Sequence, residues 1–256
     1  MSFKHIISRD NSLFKQLKRI ADSSRERRKL GETLLDGAHL VEAYLEAFGE
    51  PKLLIIPEGE STAEVTYLTQ QLADIPTVMF PTLMFQELAP VASPTGILAL
   101  VKTPNIAAPA ELDFVLMLED IQDPGNLGSM LRTAAAAGVD AVYLSEGCTD
   151  AWSPKALRGG QGAQFLLPIV ERANLVEFAH AFEGQVLATT LNGTFIYAMD
   201  MTVPTAIAIG NEGNGLSDAL QQAATYQVTI PIAGVESLNA AAATSICLFE
   251  RVRQKL

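Results

Sequence analysis

Cysteine and histidine are scarce in this chain of 256 residues, with two of the first and three of the second. Cys148 and Cys247 are too few and too unpatterned for a disulfide framework. With His5, His39 and His180 in unrelated contexts, they also supply no ligand set for a zinc site, so no metal is expected. Long apolar runs are missing too. No stretch approaches the roughly 20 consecutive apolar residues that span a bilayer, and the start MSFKHIISRD has no apolar segment of signal-peptide length. A cytoplasmic protein with no membrane partner is expected. There is no internal repeat, and the alanine runs at 134–137 and 240–243 read as helix interiors. A GxGxxG dinucleotide fingerprint is also absent: Gly210, Gly213 and Gly215 are spaced GxxGxG, with no acidic residue suitably downstream. This disfavours an ordinary nucleotide-binding oxidoreductase.

The 48% hydrophobic content is that of a globular chain, long enough for one large or two ordinary domains. A net charge of -11 weighs at first against a nucleic-acid partner, because neutralisation of phosphates by Lys and Arg supplies most of that affinity. The distribution reverses the impression. Residues 1–29 hold nine of the 18 basic residues against three acids, a local charge of +6 that leaves -17 for the rest. That asymmetry suits an RNA footprint centred on Arg25, Arg27, Arg28 and Lys29, with an acidic remainder that discourages unspecific binding. A solvated helix face is the plain alternative.

From Asn11 to about Arg28, Leu13, Phe14, Leu17 and Ile20 recur at helical spacing with Lys and Arg opposite, which predicts one amphipathic basic helix. A short strand, a turn at Asp36-Gly37, a helix and further alternating elements run on to the strand-like GILALVK. TPNIAAPAE, Thr103 to Glu111, has neither periodicity nor bulk to bury and reads as a linker, which divides the chain into domains 1–107 and 108–256. Beyond it, strands FVLML, AVYLS, FLLPIV, VLATT, TAIAI and VTIPI are interleaved with helices, the pattern of an α/β domain built on a parallel sheet.

Three polar, glycine-containing stops follow FVLML, TAIAI and VTIPI: DPGNLGSMLR from Asp123, GNEGNG from Gly210 and IPIAGVESLN from Ile230. If each run is a buried parallel strand, the stops lie at strand carboxyl ends, where open α/β sheets bind ligands. Singly they are ordinary: Ser237 suits a helix cap, Gly213 and Gly215 a turn, Arg132 a surface ion pair. Jointly they resemble the three motifs of the SpoU (TrmH) family of the SPOUT superfamily, RNA ribose 2′-O-methyltransferases. Asn126, Gly128 and Arg132 match the first motif; Gly210, Glu212, Gly213 and Gly215 the second; Ile230, Pro231, Ser237, Leu238 and Asn239 the third. The tail ICLFERVRQK, from Ile246, extends the match to the C-terminus.

The resemblance implies a trefoil-knotted C-terminal domain that dimerises to complete its site, preceded by a ribosomal-protein-like α/β RNA-binding domain whose usual glutamate-glycine pair stands here as Asp36-Gly37. It implies S-adenosylmethionine as cofactor, held at Gly210, Ile230, Leu238 and Thr189, and a ribose acceptor handled by Arg132, Asn126, Glu212, Ser237 and Asn239. Arg132 is the family's candidate base, but a guanidinium keeps its proton far above neutral pH, so a clamp on the acceptor phosphate is the preferred role. Asn214, where the second motif is often charged, and Gly159-Gly160, where a serine is common, depart from the pattern. Ribosomal RNA is the expected substrate. Transfer RNA, or a non-catalytic assembly protein keeping the fold, are the alternatives.

Overall fold

In the computed structural model, which describes residues 3–59, 61–89 and 95–256, the basic N-terminal stretch forms two helices rather than one. After β1 (Lys4–His5), Asn11 caps α1 (Ser12–Asp22) by accepting from the Leu13 amide. Ser23 then turns extended, ends α1 and caps α2 (Ser24–Leu30) by accepting from the Glu26 amide. The Ser23-x-x-Glu26 spacing is half of a capping box, a start signal inside the run. Gly31, at φ 62, terminates α2 in the left-handed region.

β2 (Glu32–Asp36), α3 (Ala38–Phe48), β3 (Leu53–Pro57), α4 (Ala63–Gln71), β4 (Thr77–Phe80), α5 (Thr82–Leu88) and β5 (Leu98–Lys102) follow. The strands form one mixed sheet in the order β1-β4-β3-β5-β2, parallel on the β1 side and antiparallel around β5. The apolar stripe of α1 (Phe14, Leu17, Ile20) packs with Phe80, Phe85 and Leu98 in its core.

The described residues form two compact units. Met1–Pro104 and Trp152–Phe165 make the first, Asn105–Ala151 and Leu166–Leu256 the second. Trp152–Phe165, on the far side of the division expected near residue 108, thus belongs with the first unit. Its attachments are specific: Thr33 Oγ1 donates to the Trp152 carbonyl at 2.7 Å, Arg158 pairs with the buried Asp36 carboxylate at 2.9 Å, and Phe165 meets Tyr44 edge-on. Asp36 also accepts from Thr95 Oγ1, so the Asp36-Gly37 pair is a structural junction of this unit.

The remaining elements are β6 (Phe114–Leu118), α6 (Pro124–Ala137), β7 (Ala141–Leu144), α7 (Pro154–Gly160, in the first unit), β8 (Ile169–Val170), α8 (Leu175–Ala181), β9 (Gln185–Phe195), β10 (Thr205–Ile209), α9 (Asp218–Ala223), β11 (Tyr226–Thr229) and α10 (Ala240–Lys255). The second unit's six strands run in the order β11-β9-β10-β6-β7-β8, every pair parallel. β6 and β10 are buried along their whole length, as near-continuous apolar runs covered on both faces should be.

Two apolar runs behave differently from expectation. VTIPI is not a buried strand: β11 is an edge strand that stops at Thr229, with only Val228 buried. FLLPIV pairs only at Ile169 and Val170, Phe165 closing a 3-10 turn instead. Phe165 and Leu167 are nevertheless buried, since an apolar run records burial rather than pairing. α10 is tied to the sheet by Arg251, which donates to the carbonyl and carboxylate of Asp113 and lies 4.3 Å from the Phe114 ring centroid. Among the described residues no helix is long and apolar enough to cross a membrane.

Candidate active site

Because the second sheet is wholly parallel, the loops after β6, β10 and β11 leave it at the same end. Asp123 caps α6 by accepting from the Asn126 amide at 2.8 Å, and Pro124 takes the first helical position, where a missing N–H costs nothing. Asn239 caps α10 by accepting from the Ala241 and Ala242 amides. α6 and α10 pack together, with Thr133 Oγ1 and Ser245 Oγ 3.3 Å apart, so the N-terminal turns of both helices meet.

A directed chain of side chains joins the three loops there. Asn239 Nδ2 donates to Asn126 Oδ1 at 3.2 Å, and Asn126 Nδ2 donates to Glu212 Oε1 at 3.1 Å. Glu212 Oε2 accepts from the Gln122 amide at 3.4 Å. Partial burial pushes the Glu212 carboxyl up, but hydrogen bonds from Asn126 and from the amides of Glu212, Gln122 and Asp123 outweigh it and hold the group below the ordinary glutamate range. At neutral pH the chain ends in a carboxylate.

The loop carrying Glu212 is held by its neighbours. Asn211 Oδ1 accepts from the Gly213 and Asn214 amides, and Asn211 and Gly215 exchange backbone bonds of 3.1 and 2.9 Å. Gly210 lies against this turn: a Cβ there would sit 2.2 Å from the Gly215 carbonyl carbon, so only glycine fits.

On one side of that loop lies a cavity of about 550 Å³, well within the range of small-molecule sites. Thr189, Gly210, Ile230 and Leu238 line it, as do Glu212 and Ser237. Its far wall comes from an irregularity that periodicity does not report. β9 pairs with β11 at Ala188↔Gln227 and next at Thr194↔Val228, which leaves Thr189 to Gly193 without β11 partners. Thr189, Thr190, Leu191 and Asn192 bow out and line the cavity. Sequence reasoning missed Leu191, Asn192 and Gln227 because their placement depends on a register skip between distant strands.

Arg132 is not part of this cluster. Six residues after Asn126 at 100° each, it lies about 120° round α6 and roughly 9 Å further along the axis. It is exposed, and its side chain has no hydrogen bond or ion pair among the described residues. In the first unit, Arg25, Arg28 and Lys29 share an exposed face of α2 at i, i+3 and i+4. Arg27 does not join them: it is 5% exposed, and its Nη1 donates to the carbonyls of Ile20 and Ala21 at 2.6 and 2.9 Å. Its inclusion in the RNA footprint is corrected. Arg27 satisfies the carbonyl end of α1, where orphan acceptors need a donor.

Burial pushes the Cys247 thiol up to about 12 and also raises that of Cys148, so neither is a thiolate at neutral pH. Among the described residues no three His, Cys, Asp or Glu side chains are grouped to hold a metal ion.

Residues 113–249, more than half of the chain, match the model of the SpoU rRNA Methylase family. The chain belongs to that family. SpoU relatives align along nearly the whole length. A tRNA/rRNA methyltransferase of Synechocystis is 34% identical over 98% of this chain and 94% of its own. The 23S rRNA (guanosine(2553)-2′-O)-methyltransferase RlmP of Bacillus subtilis is 33% identical over 96% and 98%. Among solved structures, the SpoU methyltransferase AviRb of Streptomyces viridochromogenes, in complex with the cofactor AdoMet, superposes with a TM-score of 0.83 at 28% identity, covering 96% of this chain and 98% of that one.

Proposed function

We propose that this chain transfers the methyl group of S-adenosylmethionine to a ribose 2′-hydroxyl of ribosomal RNA. The observation that carries the reading is the Asn239–Asn126–Glu212 chain, which draws the three motif loops together beside the 550 Å³ cavity. The cavity's residues fit the cofactor. Gly210 lets backbone approach a ligand, Ile230 and Leu238 offer apolar surface to an adenine, and the Leu238 amide has no acceptor among the described residues. When bound there, S-adenosylmethionine supplies an electrophilic methyl group on a sulfonium.

The chain's own residues then orient the acceptor. In-line attack requires the 2′-oxygen near the cavity mouth, and the Glu212 carboxylate, kept ionised, accepts a hydrogen bond from the hydroxyl and aims its lone pair. Asn126 and Asn239 lock the orientation of that carboxylate, and Ser237, with no side-chain partner among the described residues, is free for the substrate. Arg132 clamps the acceptor phosphate in bidentate fashion and stabilises developing alkoxide charge. Its position round α6 from Asn126 supports completion of the site by a second copy of the chain, so a homodimer belongs to the proposal. The knot does too, and the passage from β10 across β9 to β11 is compatible with it.

Residues 1–107 present the RNA-binding surface at Arg25, Arg28 and Lys29, and residues 108–256 carry the cofactor site. The test is transfer of tritium from labelled S-adenosylmethionine to purified ribosomal and transfer RNA, followed by mapping of the modified ribose. Label in ribosomal RNA at a 2′-oxygen is expected. Label in transfer RNA alone would move the substrate, and no label in either would remove the activity. Light scattering at micromolar concentration should give twice the chain mass.

A further inference from the structure

The loop of residues 210–217, which carries Glu212 and walls the 550 Å³ cavity, is tied down at its far end by a residue outside the three motifs. Glu119 directly follows β6. Its amide donates to the Ile209 carbonyl at 2.9 Å, which sets it beside Gly210, where the loop begins. Its side chain reaches the place where the loop ends: Oε2 accepts from the Ser217 amide and Oε1 from the Ser217 hydroxyl, both at 2.7 Å. We infer that Glu119 is a positioning residue for methyl transfer, acting through Ser217 to hold this loop and with it the Glu212 carboxylate; the inference rests on the methyl-transfer reading above.

The other ties of the loop do not fix its exit. Asn211 Nδ2 donates to the Asp120 carbonyl at 2.8 Å, which holds the entrance. The Asn211 and Gly215 backbone bonds close the turn on itself, and Gln221 Nε2 reaches the Leu216 carbonyl from within α9, so it travels with the exit. Leu216 and Leu220 are buried in one cluster with Val115 and Ala208 of the sheet. That contact keeps α9 docked, but apolar burial has no direction. Glu119 supplies the direction, because two bonds from one carboxylate to one residue set both distance and orientation. The same Ser217 hydroxyl accepts from the Leu220 amide and caps α9, so the end of β6, the loop exit and the helix start meet in one contact.

The demand for precision comes from Glu212. Its bonds to Asn126 and to the Gln122 amide are 3.1 and 3.4 Å long, the second beyond the usual N–H···O range, so a small drift of the loop breaks them. A misplacement of about 1 Å can cost about a hundredfold in rate.

Three replacements separate position from charge. Glu119→Gln keeps the length: its carbonyl can accept from the Ser217 amide, and its amide can donate to the hydroxyl, which turns to accept. Glu119→Asp keeps the charge but is one methylene too short to make both bonds. Glu119→Ala makes neither.

The experiment compares the full-length wild type with these variants in transfer of tritium from S-adenosylmethionine to ribosomal RNA. Cofactor is saturating and enzyme is in saturating excess over RNA, so that the single-turnover rate constant is not lowered by a loss of folded fraction. The alanine and aspartate variants should lose about tenfold to a hundredfold, and the glutamine variant no more than about threefold. Without cofactor, amide exchange followed by mass spectrometry should be faster across residues 211–217 in the alanine variant. An unchanged rate constant in Glu119→Ala, even with a lowered melting temperature, would overturn the inference and leave Glu119 as a structural tie of α9. Near-wild-type transfer by aspartate with loss in glutamine would assign the effect to charge and also overturn it. Both results leave the methyl-transfer reading standing, whereas no transfer by wild type would remove the two together. If the alanine variant does not fold, aspartate against glutamine decides.

Discussion

The two units handle charge in opposite ways. In the first, four of the nine cations of residues 1–29 are engaged inside the unit: Arg9 pairs with Glu87, Lys15 with Asp10, Lys18 with Asp22, and Arg27 is buried against the end of α1. Lys4, Arg19 and the short α2 face of Arg25, Arg28 and Lys29 remain outward. In the second, the sheet end gathers Asn126, Asn239 and Glu212 into one chain, while Arg132 on the same helix stays exposed and unpaired among the described residues. The N-terminal charge of the first unit is divided between internal partners and an exposed surplus. In the second, polar groups bond one another at the sheet end and one cation stays unpaired among the described residues. Substitutions should therefore lower stability in one unit and activity in the other.

The sharpest separation is expected at Arg132. Arg132→Ala should lose about a hundredfold to a thousandfold in methyl transfer, the usual loss for a donor that stabilises transition-state charge. Its melting temperature should stay near wild type, because an exposed unpaired side chain contributes within about 0.5 kcal/mol. Lysine should rescue little if the clamp is bidentate. Single-turnover transfer at saturating cofactor is the measurement, and near-wild-type transfer by the alanine variant would end the catalytic assignment.

Asn126→Asp tests the chain itself. It sets a second carboxylate against Glu212, which removes a stabilising hydrogen bond and adds like-charge repulsion, so Glu212 should titrate higher than in wild type. In wild type, the depressed Glu212 pKa means that the ionised form persists as pH falls below the ordinary glutamate range, and activity dependent on it should persist with it. The variant should lose activity at a higher pH and by about tenfold or more near neutrality. A pH–rate profile with an unmoved acid limb would separate Glu212 from the reaction.

In the first unit the same logic is inverted. Arg27→Ala leaves the carbonyls of Ile20 and Ala21 without that donor and should cost about 1–3 kcal/mol in thermal unfolding, with the salt dependence of RNA binding unchanged. Replacing Arg25, Arg28 and Lys29 together by alanine should do the reverse. Stability should hardly move, while the slope of log affinity against log salt should flatten by roughly one unit per lost phosphate contact. An unaltered slope would make α2 a solvated face whose cations serve its own carbonyl end.

The smallest effect sharpens the division of the chain. A fragment starting near Leu112 should retain S-adenosylmethionine affinity within a few fold, because every residue lining the 550 Å³ cavity lies beyond it. It should also melt below the full chain, since Trp152–Phe165 would lose Thr33, Asp36 and Tyr44. Calorimetry on the folded fragment that detects no binding would count against the cofactor site.

Much of the second unit was legible in the sequence because its signals are local. FVLML and TAIAI are buried strands with the predicted bounds, and Asp123 and Asn239 at the starts of α6 and α10 stand where capping chemistry puts them. Glycine 210 follows from the same kind of reasoning once a turn is expected. The break at Ser23 was also written locally, in Ser23 and Glu26, but the stronger apolar period of α1 concealed it.

The chain's composition and motif spacing by themselves determined an α/β protein of the SpoU family, with strand ends for its polar loops. Only the tertiary structure decided which of those polar groups meet. Helical rotation carries Arg132 away from Asn126, a register skip between β9 and β11 opens the cavity, and a carbonyl end seven residues earlier captures Arg27. Each outcome depends on where a second, distant or rotated backbone segment lies. Spacing along one chain encodes the period of an element, and it carries no information about the segment packed against it.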